Sequence, residues 1–92
     1  MKQDRAETMA LAALGWLAGN EELMPVFMGS TGATLDDLRE RAGDADFLAS
    51  VLDFILMDDA WVIALCDGQT WRYEDLAAAR ATLPGGAQVN WT

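Results

Sequence analysis

Fifteen acidic side chains and no histidine set the chemistry open to these 92 residues. Glu21-Glu22 and Asp58-Asp59 are adjacent carboxylates, Asp44 and Asp46 flank one alanine, and Asp53 stands alone in an apolar run. Paired carboxylates suit metal binding or general acid–base work. They also suit helix starts, where negative charge meets the positive end of the helix dipole. Both pairs precede apolar helical segments, so helix-start acids are the commoner reading. A calcium loop beginning at Asp44 would need a third ligand and then Gly, but Leu48 and Ala49 stand there. Asp53 falls on a polar strip with Asp46 and Ser50, which reads as a solvated face.

Two further stretches invite a chemical reading. "FMGSTGATLDDL", Phe27 to Leu38, brackets Ser30 and Thr31 with Gly29 and Gly32 just before a helix start. Backbone N–H groups at such a place attract phosphate. The Gly-Lys-Ser/Thr ending of a nucleotide loop is missing, however, and glycines commonly stop helices. A joint between two helices is the better reading. Cys66 has no Lys or His near it in sequence to favour its thiolate, so it reads as a core thiol.

Without histidine there is no Ser-His or Cys-His pair, and most zinc sites are excluded. The six basic residues, Lys2, Arg5, Arg39, Arg41, Arg72 and Arg80, are scattered, and the net charge is −9. Nucleic-acid binding needs clustered Lys and Arg, so it is not expected. No catalytic residue, cofactor or metal ligand is assigned, and a non-enzymatic protein is expected. An enzyme built on carboxylates alone would need Asp53 or Asp58 in a shielded pocket. One cysteine allows no internal disulfide, which fits a reducing, cytoplasmic setting. "MALAALGWLAG" (9–19) is too short to span a bilayer. Asp4 and Glu7 spoil it as a secretion signal, so no membrane role is expected.

The elements that hold these residues read as helices throughout. Ala and Leu abound, prolines number two, and apolar residues make up 52%. Met9, Ala13, Trp16 and Leu17 give the first helix its spacing over 4–18. Asn20 can cap "EELMPVFM", whose Pro25 forces an early end or a bend in its first turn. Thr34 and Asp37 form a capping box ahead of "LDDLRERA". Asp44 caps "ADFLASVLDFILM", apolar over so wide an arc that neighbours must wrap it. Asp58 and Asp59 open "AWVIALC", "DGQT" turns the chain, and "WRYEDLAAARATL" is the sixth segment. The expected fold is all-α, a compact array of five or six short helices in one domain over 1–86. Residues 87–92 read as a flexible tail.

The two halves echo each other at an offset of 38 residues. Leu14, Asp37 and Leu38 recur as Leu52, Asp75 and Leu76, while Trp16 lies over Phe54 and Phe27 over Leu65. Two pseudo-repeated three-helix units, about 5–43 and 43–81, follow as an expectation, packed around residues 47–56. In this register the Gly29–Gly32 loop aligns with "DGQT", and Met28 with Cys66.

Trp16-Leu17 beside the "NEEL" helix start, Phe27, Thr31-Gly32 and "AGDADFLASVLDFIL" resemble an uncharacterised family of small acidic helical proteins from alphaproteobacteria. The likeness runs from about residue 9 to Gly86 and is most specific over Phe47–Phe54. It departs at "ATLDD", where the family pattern has a Leu-Asp-Pro-like helix start. The resemblance implies a cytosolic bacterial helical domain with a lean towards signalling. It carries no catalytic residues to transfer.

"TWRYEDL" holds the residue types enriched at protein interfaces, Trp71, Arg72 and Tyr73. With Asp58 and Asp59 they are the expected partner surface, although Trp71 or Tyr73 could instead fill core. The expected role is a protein-interaction module, a small adaptor or modulator. Its acidic surface favours partners with basic patches. The alternative is a self-associating homodimer that buries surplus apolar surface.

Overall fold

A computed structural model describes residues 1–84. Six helices follow in order: α1 (Gln3–Ala18), α2 (Leu23–Thr31), α3 (Leu35–Glu40), α4 (Ala45–Leu56), α5 (Asp59–Gln69) and α6 (Tyr73–Thr82). No strand occurs among the described residues, so the fold is all-α as the sequence predicts. The expected flexible tail, 87–92, lies outside the described residues.

Local chemistry sets most helix starts. The Thr34 hydroxyl accepts from the Asp37 N–H at 3.1 Å, and the Asp37 carboxylate accepts from the Thr34 N–H at 2.9 Å. Asp44 and Asp58 accept from the N–H groups of Asp46 and Ala60. Each satisfies a donor that the first helical turn leaves without a partner. At α6 half of this box exists: Asp75 accepts from the Arg72 N–H at 3.1 Å, whereas an arginine side chain has no acceptor to return.

Two expected boundaries are corrected. Asn20 does accept from Glu22 and Leu23 N–H groups, both at 3.1 Å, yet regular helix begins at Leu23, later than expected. Pro25 thereby falls in the first turn, where its missing N–H costs nothing. The segments read as joints are also shorter than expected. Helix α2 continues through Gly29, Ser30 and Thr31, and α5 continues through Asp67, Gly68 and Gln69. The helix therefore passes the first glycine in each, and the turn is made by one residue in the left-handed region. That residue is Gly32 (φ 76°) in the first joint and Thr70 (φ 59°) in the second. Their N–H groups donate to Met28 and Cys66 respectively, positions that align at the 38-residue offset.

Thr70 is the only non-glycine residue with positive φ among the described residues. A β-branched side chain there costs about 1–2 kcal/mol, partly offset because glycine loses about 0.5–1 kcal/mol more entropy on folding. Thr70→Gly is expected to raise stability by about 0.5–1 kcal/mol. Urea unfolding should show a higher midpoint with an unchanged slope, and Gly32→Thr should do the reverse.

The core is built on α1 and α4, with α6 laid against both. Helix α4 buries Phe47, Leu48, Ala49, Val51, Leu52, Phe54 and Ile55, as its composition requires. The centre is not α4 alone, because α1 packs most extensively against α6. Ala6, Ala10 and Ala13 on α1 and Ala79 on α6 are all fully buried. Such small side chains let helix axes approach closely. Helix α3, by contrast, buries no residue.

Phe27 pins α2 to this core. Its ring is fully buried and meets Phe47 and Phe54 edge-on, with centroids 6.2 and 5.3 Å away. Phe54 in turn stacks on Trp61 of α5 at 4.8 Å. A polar tie joins α4 to α6: the Arg80 guanidinium donates to both oxygens of Asp53, and also to the Pro84 carbonyl at 3.1 Å.

Candidate functional site

The Gly29–Gly32 segment is the helix joint that the sequence suggests, and its backbone donors are largely engaged. The Gly32 N–H donates to the Met28 carbonyl, and the Ala33 N–H to the Thr31 hydroxyl. The Thr34 and Asp37 N–H groups are engaged by the capping box. Four donors that a phosphate would need are therefore already used. A cleft of about 310 Å³ does lie here, but Asp37 and Asp46 line it along with Arg41, so an incoming anion meets two carboxylates. Arg41 itself is held 3.5 Å from Asp44 and over the Phe47 ring.

The acidic candidates fall on the outside. Asp44 and Asp58 are helix caps, Glu21 and Glu22 are exposed ahead of α2, and Asp53 is exposed and paired with Arg80. No polar or charged residue is buried, and no group of three His, Cys, Asp or Glu stands close enough to hold a metal, among the described residues. No described helix is long and apolar enough to cross a membrane.

The second joint is different. Where α5 gives way to α6, an open groove of about 350 Å³ is lined by Asp59, Val62, Ile63, Cys66, Asp67, Trp71 and Tyr73. The α5 members recur at i, i+3, i+4, i+7 and i+8, one continuous helix stripe. Trp71, in the two-residue link after Thr70, is half-buried and packs on the core. Tyr73 opens α6 and is 57% exposed, and Ile63 is 59% exposed. The two aromatics thus divide the roles left open by the sequence. Trp71 anchors the joint and Tyr73 faces outward. Of the residues singled out from the sequence, Asp59, Trp71 and Tyr73 meet in this groove, while Asp58 and Arg72 are not among its lining.

Val62, Ile63 and Asp67 line the groove without having stood out in the sequence, and Cys66, expected as a core thiol, lines it too. The signal was present in the spacing of α5, but "DGQT" was read as a turn, which cut the stripe short at Cys66.

Cys66 is almost fully buried at the base of this groove. Burial pushes its thiol pKa up, and the carboxylates of Asp67 and Asp75 push it further. A raised value leaves less thiolate than a free cysteine has at every pH below it. Cys66 is therefore expected to alkylate more slowly than free cysteine at pH 8. Iodoacetamide labelling followed by mass should show the rate climbing only above the ordinary thiol range, and denaturant should abolish the difference.

A family model described as a protein of unknown function, DUF3572, matches residues 3–86. The chain belongs to this family. The match takes in all six helices, so the groove and both joints lie inside the span shared with DUF3572. It begins earlier than the likeness read from the sequence and ends at the same Gly86. No match was found among the curated proteins or among the solved structures.

Proposed function

We propose that this DUF3572 protein is a non-enzymatic protein-interaction module of the cytoplasm that engages its partner through the α5–α6 groove. The observation that carries this reading is that Ile63 and Tyr73, both more than half exposed, line one groove with Val62, Cys66 and Trp71. Monomeric proteins rarely leave such side chains clustered in a concave site without use, and aromatic residues in pockets are where binding energy concentrates. The half-buried Trp71 holds the groove in shape before a partner arrives, which limits the ordering cost of association.

Two helix units at the 38-residue offset fit this reading. The first joint has the same left-handed stop and the same Asp closing onto the N-cap backbone, but Ala33 and Leu35 stand where the second has Trp71 and Tyr73. One joint is kept as a plain connection and the other is elaborated for binding.

The test is partner capture from the native cells. Tagged wild type is expected to bring down a stoichiometric partner that an Ile63→Ser/Tyr73→Ala variant loses. A Leu11→Ser variant should retain it, since Leu11 is equally exposed but lines a separate cleft beside Asp4 and Glu7. Trp71 stays intact because it supports the core. Capture that is indifferent to the groove variant, or no capture at all, sinks the reading.

A further inference from the structure

The charges around the α5–α6 groove restrict what can occupy it. Asp59 and Asp67 stand at opposite ends of the α5 stripe, about 12 Å apart along the helix axis at 1.5 Å per residue. Between them lie Val62, Ile63 and Cys66, and no Lys or Arg is among the lining residues. Glu74 and Asp75 add negative charge in the first turn of α6. Residues 44–92 carry −6 of the net −9. The groove is thus an apolar trough with an acid at each end, set in the more negative half of the chain.

We propose that its occupant is a short basic amphipathic helix of a partner protein. An apolar anchor sits over Ile63 and Cys66, and Lys or Arg about seven or eight residues apart meet Asp59 and Asp67. This rests on the interaction reading above and names the chemistry of the partner. A helix fits because the trough is about two turns long and is walled by helices, whose ridges pack into such grooves. Strand addition by an extended peptide needs a sheet edge, and the described residues have no strand. A second copy of this chain fits poorly. Groove-to-groove contact would set Asp59 and Asp67 against their own counterparts, with −9 on each protomer.

The probe is a synthetic helical peptide of about 18 residues, long enough to hold some helix alone. Leucine forms one face and lysines flank it, and a twin carries Glu at every Lys position. Binding is followed by NMR titration of the isotope-labelled protein. The Lys peptide is expected to shift amide signals along α5 and from Trp71 to Tyr73. Its affinity should fall about ten-fold or more between about 50 and about 500 mM salt. An Asp59→Asn/Asp67→Asn variant should lose about as much, and Ile63→Ser should weaken binding at any salt. The cap of α5 survives in these variants because Asp58 supplies it. The Glu twin should leave the spectrum unchanged.

The inference is overturned by shifts spread evenly over the acidic surface, by an unaffected double Asn variant, or by equal binding of the Glu twin. Concentration-dependent shifts at the groove without peptide would assign it to a second copy instead. Any of these results leaves the interaction module standing if Ile63→Ser/Tyr73→Ala still loses the captured partner. Failure of that capture removes the module itself.

Discussion

Phe27→Ala is expected to lower unfolding free energy by about 4 kcal/mol, within the range for emptying a buried phenylalanine site. The ring is fully buried between Phe47 and Phe54, and two terms add. Lost burial and the residual cavity account for about 3–5 kcal/mol, and edge-on aromatic pairs contribute about 0.5–1.5 kcal/mol within such totals. A domain of this size holds about 5–14 kcal/mol in all. The variant is left with about 1–10 kcal/mol, and its melting temperature should fall by at least about 15 °C. Circular dichroism on heating checks this. A drop of only a few degrees would mean that α2 is not fastened to α4 through this ring. Phe54→Ala on the same cluster should not add fully to Phe27→Ala, because the two rings share one contact.

Leu76→Ala is expected to cost about 3 kcal/mol, and Leu38→Ala less than about 1 kcal/mol. The two leucines occupy the same position in the 38-residue register, each following an Asp that closes onto the N-cap backbone. Their surroundings differ. Leu76 is fully buried where α6 lies across α1 and α4, whereas Leu38 is half-buried on a helix that buries nothing completely. Deleting three carbons from a packed site leaves a cavity, but at a half-open site water fills the space and little is lost. Urea unfolding of both variants against wild type reads the difference directly. Equal losses would show that α3 is as firmly docked as α6 and would remove the asymmetry between the joints.

That asymmetry explains what could be read in the chain. The resemblance to a family of unknown function was legible in Trp16-Leu17, Phe27 and the Phe47–Phe54 run, and the match over residues 3–86 bears it out. The Thr34–Asp37 box and the Asp44 and Asp58 caps were legible because each bond spans two or three residues. "DGQT" was misread because glycine propensity is a weak local prior, and tertiary context carried α5 on to Gln69. The Asp53–Arg80 pair spans 27 residues, beyond the reach of any helical spacing rule. Asp53 looked like a solvated acid, and it is one that also ties two helices.

The groove was half legible. Trp71 and Tyr73 were visible as interface residue types and Asp59 as a helix-start acid. Ile63 looked like one apolar residue among many, since whether an isoleucine is covered depends on which helix comes to lie over it.

The order of residues alone thus dictates a helical protein, the places where most of its helices start, and an α4 that must be wrapped. Those properties come from backbone donors and nearby side chains, and from the width of one apolar face. That α6 packs on α1 more extensively than α3 does emerges only from the folded arrangement. That arrangement also left Ile63 and Tyr73 uncovered between Asp59 and Asp67 and turned the second joint into a groove. Docking of this kind is fixed by the fit of surfaces tens of residues apart, as where α1 packs on α6 with buried alanines on both helices, and no local spacing encodes that fit.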